Sequence, residues 1–162
     1  MLEVVDLVRF VIKIDDKNYD ISIYFRGGNL KAIFYEVAEL AYEKLNNQKY
    51  KNRVILEEEL IKIWKDSCEE MELKTSMRDK ICPKNSFLGV LKSGVLDLNI
   101  KWKKDELKGN RVYSVEAIKV LRKEKTNLIA RELWEKIGNK GKNHNGQMDV
   151  VLAFWDKVKK YD

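Results

Sequence analysis

Cys82, His144 and Asp149 are the residues of this sequence whose types could together support covalent chemistry. A cysteine thiolate is a nucleophile, a histidine takes the thiol proton, and a carboxylate or amide orients the imidazole. Here Cys82 would be the nucleophile, His144 the base, and Asp149 or Asn145 the orienting group. Sequence spacing does not show that these side chains meet, so a small enzyme built on Cys82 and His144 is an alternative interpretation, not the leading one.

The stretch GNKGKNHNGQMDVVLAFW, residues 138–155, contains the only histidine of the chain. Its glycines and asparagines supply turns and exposed amides, and Lys140 and Lys142 add positive charge, so the following helix start could accept an anion. An aspartate in the first helical turn opposes this. In the structural alternative, Asn143 or Asn145 caps the helix and the histidine is a surface residue.

Positive charge is concentrated in one segment. The formal net charge is +6, and residues 99–142 contain 13 Lys and Arg against 6 Asp and Glu, whereas residues 1–98 contain 16 against 17. A basic segment favours an anionic partner such as nucleic acid, although a lysine-rich solvated face gives the same excess. The 25 lysines outnumber the 7 arginines, which indicates contact with phosphates and not reading of bases.

The residues predicted to bind nucleic acid or another polyanion are Lys101, Trp102, Lys103, Lys104, Lys108, Arg111, Lys140 and Lys142. Trp102 has two interpretations, because its ring could stack on a base or anchor a long loop to the core.

Composition and motifs exclude several classes of protein. The sequence is 44% hydrophobic and 36% charged, which is typical of a globular protein, and the apolar run VVLAFW is too short to span a bilayer. Glu3 and Asp6 lie where a secretory signal carries lysines, so we expect a cytoplasmic protein with no membrane partner. Cys68, Cys82 and one histidine cannot complete a four-ligand zinc site, and no common nucleotide, hydrolase or metalloprotease motif occurs. We therefore predict no metal and no cofactor.

The predicted fold class is α+β, a mainly α-helical single domain over residues 1–162 with an N-terminal β-hairpin. The hairpin extension covers residues 1–28, where VRFVIKIDDKNYDISIYF alternates on both sides of DDKN. The helical core covers residues 29–162. Its helices are predicted at 30–45, at 57–72, near 83–94, at 112–123, from 126, and from 145 or 146, with a loop over 97–111.

Local signals refine four of these predictions. Asn29 is a good N-cap for the first helix, and the EEE run at 57–59 suits the first turn of the second. Pro83 suits the first turn of its helix and predicts extended geometry for Cys82. Cys68 lies on an apolar helical stripe, which indicates a small core residue.

Two motifs carry a resemblance to a known family. CPKNSFLGVLKSGVL at 82–96 and KNHNGQMDVVLAFW at 142–155 resemble the CPxxxFLG and HNxQMDVVLAxW motifs of a family of small, functionally uncharacterised bacterial proteins. The resemblance covers about residues 30–157 and implies that Cys82, His144, Asn145, Gln147 and Asp149 belong to shared motifs. It implies no activity, ligand or functional residue.

The leading interpretation is a non-enzymatic binding or regulatory module that contacts an anionic partner, nucleic acid above all, through residues 99–142. The enzyme with a Cys82 and His144 pair is the first alternative. A structural homodimer formed through the edge of the hairpin is the second.

Overall fold

A computed structural model of the protein describes residues 6–14, 17–26, 29–30, 32–104, 107–124 and 126–159. The chain begins with β1 (Asp6–Ile14), β2 (Lys17–Arg26) and β3 (Asn29–Leu30). Strand β1 pairs antiparallel with β2, and β2 pairs antiparallel with β3. Asn29, predicted as a helix cap, therefore belongs to a strand.

The rest of the chain is mainly helical, which confirms that part of the predicted fold. Its elements are α1 (Ile33–Leu45), β4 (Ile55–Leu56), α2 (Glu57–Glu70), α3 (Thr75–Arg78), α4 (Ile81–Lys92), β5 (Ile100–Lys101), α5 (Asn110–Lys123), α6 (Ala130–Lys136) and α7 (Gln147–Val158). Strands β4 and β5 form a second sheet, which is parallel and was not predicted. The segment 97–111 is thus not wholly a loop, since it contains β5 and the first two residues of α5. No helix in these described ranges is long and apolar enough to cross a membrane.

The core is built around α7, which packs against α1, α4, α5 and α6. Its apolar run buries residues on several sides of the helix, as an internal helix requires. Aromatic rings connect it to its neighbours: the Phe154 ring lies 5.7 Å from that of Tyr42 and 5.8 Å from that of Phe87, and Phe87 lies 5.2 Å from Trp64. Cys68 is fully buried, which confirms its predicted place in the core.

The starts of α1, α4 and α6 differ from their predictions by two to four residues. Helix α4 begins at Ile81, so Cys82 is helical and not extended. Pro83 is the third residue of this helix, and a helix tolerates proline there because the N–H groups of the first turn have no intrahelical partner. Helix α6 begins at Ala130, four residues after Thr126. Helix α1 begins at Ile33 with Ala32 in extended geometry before it.

Helices α4 and α5 approach closely at Gly89. A Cβ atom at this position would lie 2.6 Å from the backbone oxygen of Arg111 and 2.9 Å from Ser114 Cβ, so only glycine fits without a shift. One turn earlier, the buried Ser86 hydroxyl donates to the backbone oxygen of Gln147 at 2.8 Å. The Ser114 hydroxyl lies 2.8 Å from Ser86 Oγ and completes a bridge between α4, α5 and α7.

Candidate functional site

Four of the predicted anion-binding residues line one cavity. This cavity, here called the basic pocket, has a volume of about 380 Å³ and is lined by Glu57, Asn85, Lys103, Lys104, Lys108 and Arg111. The residues come from the starts of α2 and α5, from α4, and from the segment between β5 and α5. The fold therefore places the four cations of residues 103–111 around a single cavity.

The parallel pairing of β4 with β5 holds the basic segment in place. Ile55 N donates to the Asn99 carbonyl at 2.8 Å, and Ile55 itself is fully buried. Beyond β5, Lys103 N donates to Glu57 Oε2 at 3.0 Å, and Lys92 Nζ donates to the Lys104 carbonyl at 2.8 Å. These bonds to Ile55, α2 and α4 fix the backbone from Asn99 to Lys104, which leads into the pocket and forms part of its wall.

Arg111 is held at the pocket by a buried carboxylate. Its Nη2 atom lies 2.6 Å from Glu57 Oε1, and the two side chains are 19% and 5% exposed. Burial alone would raise the pKa of Glu57. The hydrogen bonds from Arg111 and the Lys103 amide, together with the positive charges, outweigh burial and keep that pKa below its ordinary value.

The EEE run has both the predicted role and a second role that was not predicted. Residues 57–59 form the first turn of α2 as predicted, and Glu59 Oε2 accepts from Leu56 N at 2.9 Å. Glu58 pairs with Lys103 Nζ at 2.9 Å in an exposed contact. Glu57 instead turns inward to Arg111. Its spacing of three residues from Leu60 and seven from Trp64 places it on the buried face of α2, and this periodicity is the sequence signal that distinguishes it from its two neighbours.

The remaining predicted anion-binding residues lie outside the basic pocket. Trp102 is half-buried and packs against the core, with Lys92 Nζ 5.1 Å from its ring centroid, which agrees with the loop-anchor interpretation. Lys101 is exposed on β5, and Lys140 is exposed in the loop before α7. Lys142 lines a different cavity, described below.

Cys82 and His144 have different surroundings. Cys82 Sγ accepts a hydrogen bond from Asn110 Nδ2 at 3.2 Å. His144 Nδ1 lies 3.8 Å from Asp149 Oδ2, and its ring makes an edge contact with Trp134. Within the described ranges no hydrogen bond or ion pair joins Cys82 to His144, so this structure contains no formed nucleophile and base pair.

The N-cap residue of α7 differs from the predicted one. The N-cap of α7 is Gly146, with φ 78° and no side-chain hydrogen bond, and not an asparagine. Asn143 Oδ1 accepts from Asn145 N at 2.8 Å, which closes a local turn before the helix. A Cβ atom on Gly146 would lie 2.5 Å from the Phe34 ring, so the chain enters α7 where only glycine fits.

Asp149 is a carboxylate that faces the histidine from α7. Its side chain is 17% exposed, and burial raises its pKa, while the neighbouring charge of His144 acts in the opposite direction. Across the described part of the chain, no three His, Cys, Asp or Glu side chains are grouped as a metal site would require.

Comparison with known protein families assigns the chain to one family. Residues 36–159 match a family described as "Family of unknown function (DUF6979)". The chain belongs to this family. No curated protein and no solved structure matches it.

The DUF6979 match begins within α1 and includes both the basic pocket and the loop around His144. Strands β1 to β3 precede it. The predicted resemblance to a family without a known activity agrees with this result, while the two motifs and the bacterial origin stay predictions. The family description gives no role to any residue, so the function is argued from the pocket itself.

Proposed function

We propose that this DUF6979 protein is a non-enzymatic binding module whose basic pocket receives phosphate groups of an anionic partner, nucleic acid above all. The observation that carries the proposal is the convergence of Lys103, Lys104, Lys108 and Arg111 on one cavity of about 380 Å³. The described lining includes one carboxylate, Glu57, and that carboxylate is already bonded to Arg111. These four cations and Glu57 give the described lining a formal charge of +3, part of which Glu58 offsets through its pair with Lys103, and this charge attracts an anion.

The chemistry of the lining favours phosphate contact without reading of bases. Three of the four cations are lysines, which act as point charges, and the single arginine is engaged by Glu57. Trp102 packs against the core and has Lys92 beside its ring, so the proposal does not rely on its stacking on a base. A flexible single strand can bring successive phosphates to such a pocket without a groove to dock into.

Binding of a fluorescently labelled single-stranded oligonucleotide tests the proposal through its salt dependence. Four phosphate contacts to single-stranded nucleic acid give a log–log slope of about −2.8, which is roughly a fifty-fold loss of affinity between 50 and 200 mM salt. The double variant K104A/K108A keeps two contacts. We expect its slope to fall to about −1.4, with roughly a seven-fold loss over the same range.

The matched control is R122A/K123A. These exposed residues lie in the last turn of α5, about 16–18 Å along the helix from Arg111, and the substitution also removes two positive charges. We expect the control to keep the wild-type slope. If the slope decreased equally in both variants, net charge alone would drive binding. An affinity that did not change with salt concentration would contradict the proposal.

A further inference from the structure

A second cavity lies beside the only histidine of the chain. It has a volume of about 400 Å³, and its lining side chains include Arg131, Trp134, Glu135, Lys142, Asn143 and His144. It shares no lining residue with the basic pocket. We propose that this cavity, here called the histidine cavity, binds a small oxyanion such as a carboxylate or a sulfate-like group, and does so when the His144 imidazole is protonated.

The orientation of the imidazole supports this role. His144 Nδ1 is buried without a hydrogen-bond partner and lies 3.8 Å from Asp149 Oδ2, while the whole side chain keeps 25% of its surface exposed. Since Nδ1 faces α7, Nε2 is the nitrogen left for a ligand in the cavity that the ring lines. A protonated imidazole donates from both nitrogens and could bind Asp149 and an oxyanion together.

Trp134 fixes two of the binding groups relative to each other. Its ring makes an edge contact with His144 at a centroid distance of 6.5 Å. Its Nε1 atom donates to the Lys142 carbonyl at 2.9 Å. One buried indole therefore sets the position of both the imidazole and the lysine backbone, and such fixing lowers the entropy lost when a ligand binds.

The charged groups around the imidazole explain why a proton should control binding. Helix α6 contributes Arg131 and Glu135, which pair with each other at 3.1 Å; the loop contributes Lys142, and α7 contributes Asp149. These two cations and two carboxylates cancel in formal charge. A proton on the His144 imidazole therefore gives this set of groups a net positive formal charge, which favours an oxyanion.

Proton NMR tests the proposal directly, because a single histidine gives a single Hε1 signal that needs no assignment. Sodium sulfate replaces sodium chloride at constant ionic strength, at pH 6.0 and at pH 8.0, since sulfate keeps its charge at both. We expect a saturable shift of the Hε1 signal at pH 6.0. At pH 8.0 the affinity should be about tenfold lower, the loss expected when one charge-assisted hydrogen bond is removed.

Variants separate this cavity from the basic pocket. K142A should weaken sulfate binding several-fold at pH 6.0, whereas K104A/K108A should leave the Hε1 titration unchanged. In H144Q, followed through the Trp134 indole N–H signal, the difference between the two pH values should vanish. If H144Q loses its dispersed indole signals through unfolding, K142A carries the test alone.

Three results would overturn the proposal. Chloride and sulfate could give the same Hε1 shift, the sulfate affinity could be equal at both pH values, or K104A/K108A could abolish the shift. The last result would assign the sulfate to the basic pocket, and it would leave the nucleic-acid proposal intact.

Discussion

Glu57→Gln is expected to destabilise the protein through its buried contact with Arg111. The substitution keeps the shape of the side chain and an acceptor for Lys103 N, but it leaves the guanidinium without a counter-charge. Breaking a fully buried pair costs roughly 3–5 kcal/mol. Arg111 keeps 19% of its surface exposed and borders a cavity, so water recovers part of that loss. We expect the free energy of unfolding to fall by about 2 kcal/mol, a decrease in Tm of about 4–8 °C.

The pH dependence of this effect has a defined sign. The pKa of Glu57 is lower in the folded protein than its ordinary value near 4.5. Its ionised form therefore stabilises the fold above about pH 4.5, and this contribution is lost as the pH falls through the lower folded pKa. In urea unfolding, the difference between wild type and E57Q should be full at pH 7 and should shrink on acidification below pH 4.5.

Glu58→Gln is the matched control, because Glu58 is the next residue in the same helical turn and also pairs with Lys103. That pair is 60% and 57% exposed, and exposed pairs contribute little. We expect E58Q and wild type to unfold at nearly the same urea concentration. Equal losses in E57Q and E58Q, or an E57Q loss that does not change with pH, would refute the argument from burial.

Three further predictions follow from packing. Gly89→Ala should lower the unfolding free energy by about 2 kcal/mol in urea titration, because its Cβ would displace the first turn of α5; a stabilised variant would contradict the close approach. Thiol labelling at pH 7.5 should modify half-buried Cys82 and spare Cys68, whose pKa is raised to about 11 by burial. In urea, which unfolds the protein, both thiols should be labelled. Gly146→Ala should lower the Tm measured by calorimetry more than Gly141→Ala does. Both glycines have φ near 78°, but only Gly146 faces an aromatic ring. An equal decrease in Tm would mean that backbone strain alone determines the effect.

Periodic apolar spacing predicted most of the helices because a helix face buried in a core repeats at a fixed interval. Helix α2 was predicted to run from 57 to 72 and runs from 57 to 70, and the α5 prediction differs at its start by two residues. The two-residue strands β4 and β5 were not predicted, since two residues cannot display alternation. Their pairing depends on contacts between segments forty-five residues apart.

The candidate sites were predicted only in part. The charge excess indicated the segment that contains Lys103, Lys104, Lys108 and Arg111, because local composition records which stretch is basic. It could not indicate Glu57, which belongs to another segment and is distinguished by its place on the buried face of α2. The cap of α7 was wrong for a similar reason, since Gly146 is selected by the tertiary contact with a ring on α1 and not by the asparagines beside it.

The short pairing of β4 with β5 has a consequence for the energetics of recognition. A free basic segment would lose conformational entropy each time it closed on a partner, at roughly 1–2 kcal/mol for each residue ordered. Here Asn99 is bonded to Ile55, and Lys103 is bonded through its amide to Glu57, before any partner arrives. This part of the binding surface is preorganised: folding has already ordered its backbone, so a partner has mainly to order the ends of the lysine side chains.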